Sequence, residues 1–301
     1  MIRKIQLLCG SLVLVLQIAT SCLAKIHVFG DSLSETGNFT VVTEGTWPPS
    51  PPYLPGRFSN GQVWVEYVAE AVDETIPQPF LLGGTNYAFN GARAAGSSPY
   101  LTPDLAAQVE SYLTANGGQA SPDDIFIIWA GANDIFFGAL QGEADFIPNA
   151  IGGISGAIRT LHGAGARAFI VPDLPLLGQT PFFNTDAQVS YELDMATAAF
   201  NSSLSRQLRS LRKDLRKVAI ADVQISHLFK SITRNAKRFG LTNAVDSATQ
   251  FDPVSGIGFT LAPNVEPDNF LFWDSVHPTA QGHRIIANYV LADIKVKCRN
   301  R

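Results

Sequence analysis

Three cysteines in 301 residues cannot build a disulfide framework. Two of them, Cys9 and Cys22, fall in the first 24 residues, so Cys298 stands nearly alone. No cysteine and histidine group has zinc spacing, and nothing in the pattern asks for a metal or a cofactor. Neither sign of charge is in excess. With 22 basic against 26 acidic residues the formal charge is −4, which gives no reason to expect nucleic acid as a partner. The apolar run from Ile5 through Ile18 falls short of the roughly 20 residues a membrane span needs. Repeats, low-complexity tracts and linkers are absent. What remains, 46% hydrophobic and 16% charged, is rich enough in apolar side chains for a large core and excludes disorder.

The first residues have their own pattern. Met-Ile-Arg-Lys, the apolar run and small residues from Ser21 to Ala24 make up a secretory signal peptide over 1–24, leaving residues 25–301 as one domain that is extracellular or periplasmic. A second, weaker reading takes Ala19-Thr-Ser-Cys22 as a lipobox, with Cys22 as a lipid-anchored terminus.

Beyond residue 25, strand-like and helix-like runs alternate. Short buried strands are expected at Ile26–Phe29, Thr85–Phe89, Asp124–Ala130, Arg167–Val171 and Val218–Ala221. Helical patterns are expected at Val63–Val72, from Pro103 with Thr102 as N-cap, at Phe146–Gly163, Asp186–Lys217 and Ile225–Phe239, and from Pro278 to Ile294. Such alternation predicts a three-layer α/β domain around a five-stranded parallel sheet. The Pro-rich stretch Trp47 to Gly56 fits neither element. It is read either as a wall of a substrate cleft, with Trp47 and Tyr53 as apolar contacts, or as a surface loop.

The chemistry collects at strand ends. Gly30-Asp-Ser32 ends the first strand, where open α/β sheets place their sites. A serine hydroxyl needs a base to take its proton, and that base needs a group to orient it. Asp274-Ser-Val-His277 supplies both, three residues apart. Developing negative charge on a substrate oxygen needs hydrogen-bond donors aimed at it. Asn133, past the third strand, offers a side-chain amide, and Gly91, past the second, an N–H that is closely approachable. The N–H of Ser32 is a third donor. Asp31 and Asp134 are read as braces for their turns, and His27, His162, His227 and His283 as structural or surface residues.

These blocks resemble the GDSL esterases and lipases of the SGNH hydrolase superfamily. Gly30-Asp-Ser-Leu33, Gly91 in Asn-Tyr-Ala-Phe-Asn-Gly-Ala, Asn133 in Gly-Ala-Asn-Asp, and His277 in Asp-Ser-Val-His-Pro occur in the superfamily's order across residues 28–278. The resemblance implies a flavodoxin-like sheet, a Ser32–His277–Asp274 triad, an oxyanion hole of Ser32, Gly91 and Asn133, and ester hydrolysis without metal. A Gly-x-Ser-x-Gly elbow is missing, which counts against the ordinary α/β-hydrolase fold.

The expectation is therefore a secreted serine ester hydrolase. The wording around Ser32 is closest to secreted bacterial lipolytic members, so a lipid acyl ester is the favoured substrate. Carbohydrate acetylesterase and lipid acyltransferase are the alternatives, and an inactive binding module on the same fold is the non-enzymatic one. The helix carrying Leu204, Leu208, Leu211 and Leu215 also carries Arg206, Arg209, Arg212, Lys213, Arg216 and Lys217. It reads either as a core-packing helix with a solvated basic face or as a peripheral membrane contact. Asn38 and Asn201 begin glycosylation sequons. Oligomeric state is not legible.

Overall fold

The computed structural model describes residues 17–21, 24–72, 75–251 and 259–299. Most of the expected leader, Cys22 included, lies outside the described residues. Within it β1 (Gln17–Ser21) is described, and its backbone pairs in parallel with β10 (Lys295–Arg299). No helix among the described residues is long and apolar enough to cross a membrane.

The central sheet has four parallel strands in the order β2 (Ile26–Gly30), β3 (Ile125–Trp129), β4 (Ala168–Pro172) and β5 (Ala219–Val223). Every residue of β2, β3 and β4 is buried, as expected of parallel strands covered on both faces. Helices α3 (Leu105–Ala115), α5 (Phe146–Ala164) and α6 (Ala187–Asp214) pack together as one outer layer. The other layer is built on the contact of α2 (Trp64–Val72) with α8 (Ala280–Asp293). This is the expected three-layer α/β architecture.

The expected fifth strand is a correction. Thr85–Phe89 does run in parallel beside β2: Val28 N–H donates to Thr85 O, and Tyr87 and Phe89 N–H donate to Val28 O and Gly30 O. Against β2 it forms the single Val28–Asn86 bridge, and on its other side Asn86 bridges Pro79. The side chain of Gln108, on α3, explains why the ladder stops. Its Oε1 accepts from Gly30 N–H at 2.8 Å and its Nε2 donates to Gly30 O at 2.9 Å, taking the donor that would extend the ladder. With this edge segment counted second, the sheet order follows the flavodoxin-like 2-1-3-4-5 pattern, whose switch point flanks the first strand. Ser32 sits at that point.

Local punctuation explains the element bounds. Asp104, not Thr102, caps α3, its carboxylate accepting from Ala107 N–H at 3.0 Å. Asp186 caps α6 in the same way and Thr279 caps α8. Helix α7 (Ile225–Arg234) stops five residues before Phe239, and Ala236–Phe239 continues as a 3-10 turn. Two helices were not read from the sequence: the short α1 (Asn38–Val42), and α4 (Ala132–Gln141), which starts directly after β3 and so places Asn133 in its first turn.

Beyond α7 the chain forms small accessory pairs. Strand β6 (Asn243–Ser247) pairs in parallel with β9 (Phe270–Phe272), and β7 (Thr249–Phe251) with β8 (Phe259–Leu261) in antiparallel. Asp274 and His277 follow β9 directly. Because α6 runs back against the strand direction, its basic end, linked through Arg159 to Asp214, lies at the sheet's amino edge. Leu204, Leu208 and Leu211 are buried beneath it. Arg212 donates to Ile220 O, while Arg206 and Arg209 reach back to serines one turn earlier.

Candidate active site

Gly30 turns the chain sharply out of β2. Its φ of 149° and the Trp129 carbonyl oxygen, 2.1 Å from where a Cβ would stand, leave room only for glycine. The turn that follows is pinned by Asp31. Its backbone carbonyl accepts from the N–H of Ser34 and Glu35, and its carboxylate accepts from Leu33 N–H at 3.0 Å. Ser32 therefore projects from a braced turn at the carboxyl end of β2.

His277 arrives from the opposite end of the chain. Its Nε2 lies 2.8 Å from Ser32 Oγ, and its Nδ1 lies 2.8 Å from Asp274 Oδ2 and 3.0 Å from Oδ1. Asp274 Oδ1 also accepts from the N–H groups of Val276 and His277, at 2.9 and 2.7 Å, which closes the turn between acid and imidazole. Burial works against a charged Asp274, but the adjacent His277 and these hydrogen bonds outweigh it and hold the carboxyl below its ordinary range. An anionic carboxylate, an imidazole and a serine hydroxyl thus form one continuous hydrogen-bonded chain.

The Gly91 and Asn133 blocks are tied to each other. Asn133 Nδ2 donates to Ala92 O at 2.9 Å, which uses one of its two amide hydrogens. Next to it, the buried Asp134 accepts from Ala94 and Ala95 N–H at 2.7 and 3.1 Å. Arg93 donates through both terminal nitrogens to Glu143, at 2.9 and 2.5 Å, and lies 3.7 Å from Asp134. Gly91 has φ 67°, and a Cβ there would meet the Tyr100 ring at 2.2 Å. Ser32, Gly91, Asn133 and His277 all line one cavity of about 310 Å3. Its walls are largely apolar and aromatic, with Leu33, Tyr100, Phe136, Phe137, Leu177, Phe182, Phe183 and Phe229 among them. Asp274 lies behind His277, outside the lining.

Two buried carboxyls beside the chain are shifted. Burial pushes Asp31 up to about 7, against the pull of the Leu33 N–H and His277, and the nearby Asp134 charge adds to the rise. Burial likewise raises Asp134 to about 6, opposed by its backbone donors and Arg93. Both act as braces for their turns, as the sequence reading has it. His27 is buried and bonds Asp124 at 3.0 Å, and buried His283 accepts from Trp64 N–H through Nδ1.

Other expectations are corrected here. Trp47 and Tyr53 do not line the cavity; Trp47 is exposed, and Tyr53 is buried with its hydroxyl on Asp274. Asn38 is buried, and its amide donates to Asn86 O and Ala88 O, so in the folded chain this sequon is closed to a glycan. Asn201 is likewise engaged with the backbone of Leu174. Among the described residues no group of acidic, histidine or cysteine side chains could hold a metal ion.

Over residues 26–290 the chain matches the family described as GDSL-like Lipase/Acylhydrolase. It is similar to a phosphatidylcholine-sterol acyltransferase of Aeromonas hydrophila, 27% identical over 93% of each chain. It is also similar to acetylajmalan esterase 2 of Rauvolfia serpentina, 27% identical over 91% of each. Among solved structures, a catalytic mutant of an acetylxylan esterase from Geobacillus stearothermophilus superposes with a TM-score of 0.50 at 14% identity, covering 94% of this chain and 99% of that one. The chain belongs to the GDSL-like lipase/acylhydrolase family and is a carboxylic ester hydrolase.

Proposed function

We propose that this hydrolase cleaves lipid acyl esters through an acyl-enzyme formed on Ser32. In this reading Ser32 Oγ attacks the acyl carbonyl as His277 Nε2 takes its proton. The anionic Asp274 keeps Nδ1 protonated and stabilises the imidazolium that forms. Charge developing on the carbonyl oxygen is met by the N–H groups of Ser32 and Gly91 and by the second amide hydrogen of Asn133. His277 then returns the proton to the departing alkoxide, and water repeats the sequence in reverse to release the acid. Transfer of the acyl group to another alcohol uses the same intermediate and differs only in what enters last.

The observation that carries this reading is the unbroken Ser32–His277–Asp274 chain, with both links at 2.8 Å. The lipid assignment is supported by the aromatic lining of the cavity and by the relative named for phosphatidylcholine and sterol. A second reading, an acetylesterase, is favoured by the relative named for acetylajmalan. The basic residues of α6 lie at the amino edge, so a membrane contact there, as read from the sequence, would sit away from the cavity mouth.

Initial rates on p-nitrophenyl esters from acetate to palmitate, plus a lysophospholipid, separate the two readings, with Ser32→Ala as control. Rates that rise beyond acetate and vanish in a folded Ser32→Ala support lipid hydrolysis. A sharp acetate preference would move the substrate to acetyl esters. Near wild-type activity in Ser32→Ala would remove Ser32 from the chemistry.

A further inference from the structure

The Pro-rich loop has no place in the cavity, yet the segment that ends it lies against the whole acid–base block. Tyr53 Oη donates to Asp274 Oδ2 at 2.8 Å. The Phe58 ring packs on the His277 imidazole, centroids 5.2 Å apart. Ser59 Oγ donates to Pro278 O at 2.9 Å, and Asn60 Oδ1 accepts from Ala280 N–H at 2.8 Å. Segment 53–60 thus follows 274–280 as a clasp, although the two are about 220 residues apart in sequence.

Within that clasp Tyr53 has a distinct position. Asp274 Oδ1 is held from inside its own turn by Val276 N–H and His277 N–H. Oδ2, the oxygen nearer to Nδ1, is held from outside the turn by the Tyr53 hydroxyl. A carboxylate with one anchored oxygen can still pivot about that anchor, and the second anchor removes the freedom. The Tyr53 ring is itself fixed edge-on against Trp273, with centroids 6.0 Å apart, and against Phe58 at 6.4 Å.

We propose that Tyr53 is a positioning residue for ester hydrolysis: its hydroxyl anchors the Asp274 oxygen that orients His277. This rests on the roles given above to Asp274 and His277. Burial first, then the adjacent Asp274 charge, push the phenol above its ordinary range, so it remains a donor wherever the enzyme works. Tyr53 lies outside the cavity lining and bonds Asp274, so its influence passes through the carboxylate. By sharing the negative charge, the donor also weakens the field that Asp274 exerts on the imidazole. Asp31, from the Ser32 turn, and His283, from α8, also face His277, and the substitution below leaves both in place.

The test is the pH profile of p-nitrophenyl ester hydrolysis by Tyr53→Phe, which keeps the ring and removes only the hydroxyl. The expected loss in kcat is about tenfold, the scale of one hydrogen bond to a charged group, with KM within about twofold. With the donor gone, Asp274 favours the imidazolium more strongly. The acid limb of kcat/KM therefore moves to higher pH by roughly half a unit. Because Tyr53 acts through Asp274, the same substitution in an Asp274→Asn background changes kcat by less than about twofold. An unmoved limb, or an additive loss in that background, overturns the proposal. Ser32→Ala measured alongside keeps the failures apart. Activity surviving there removes the Ser32 and His277 roles, whereas an inactive Ser32→Ala with an unmoved Tyr53→Phe limb removes the role of Tyr53 alone.

Discussion

Ser32 and His277 stand 2.8 Å apart and are held by unlike means. Ser32 belongs to the sheet. It follows β2, buried along its whole length, and the turn that carries it is set by a glycine that admits no side chain and by a buried aspartate. His277 belongs to an arm. Strand β9, which leads to it, has three residues, pairs with β6 outside the central sheet and bridges Pro278 through Phe272. Side chains reaching across from 53–60 hold the arm, together with backbone bonds outside the central sheet such as Trp273 N–H to His277 O at 2.7 Å and Thr249 N–H to Trp273 O at 2.9 Å. One half of the site is thus carried by the central sheet, and the other by an arm whose Leu271 and Phe272 are packed into the core but whose bonds lie outside that sheet. Core-borne positions should cost stability when altered, whereas arm-borne positions should cost turnover first.

Gly30→Ala tests the core half most severely. The substitution forces an L-residue into a left-handed conformation and drives its Cβ into the Trp129 carbonyl. The expected cost is about 4 kcal/mol, lowering Tm by roughly 10 °C in thermal unfolding. A Tm within about 2 °C of wild type would break the distinction between the two halves, since Ser32 would then tolerate a displaced strand end.

A smaller effect sharpens the same contrast. Glu35, in the Ser32 turn, is fully buried; Oε1 accepts from Phe39 N–H, while Oε2 has no hydrogen-bond partner among the described residues. Burial pushes this carboxyl up to about 8 from 4.5, against its backbone donors and Arg57. The folded state therefore holds a proton that the unfolded state has released between those values, and stability falls as pH rises through that window. Glu35→Gln, neutral throughout, should lack that slope and gain on the order of 2 kcal/mol over wild type above pH 8. Denaturant unfolding at pH 5 and pH 8.5 measures it, and a slope equal to wild type would contradict the buried-proton account. The arm predicts the reverse pattern, with Tyr53→Phe altering the pH profile of turnover while leaving the unfolding midpoint nearly unmoved.

The same division marks what was legible in the sequence. Strands such as Ile125–Trp129 announce themselves because burial on both faces demands unbroken apolar runs. The chemistry-bearing residues at their ends follow once the strands are placed. Thr85–Phe89 has the composition of a strand, but nothing in its own residues tells that Gln108, on another element, takes the Gly30 donor and halts the ladder. Thr102 and Pro103 are good helix-start residues, but Asp104 competes better because its carboxylate reaches both Ala107 and Gly96 N–H. Tyr53 was legible only as an aromatic in a Pro-rich loop. Its partner lies 221 positions away, and no local periodicity encodes a contact of that range. The candidate residues of both halves are thus written in local pattern, Asp274 and His277 included, whereas the contacts from 53–60 that hold the second half are tertiary and local pattern does not carry them.

The central claim is that Ser32 is the nucleophile activated by His277. A fluorophosphonate probe followed by peptide mass spectrometry addresses it without any choice of substrate. The account predicts a single adduct on Ser32 in the wild-type protein, lost in His277→Ala. No adduct, or an adduct on a different serine, would contradict it.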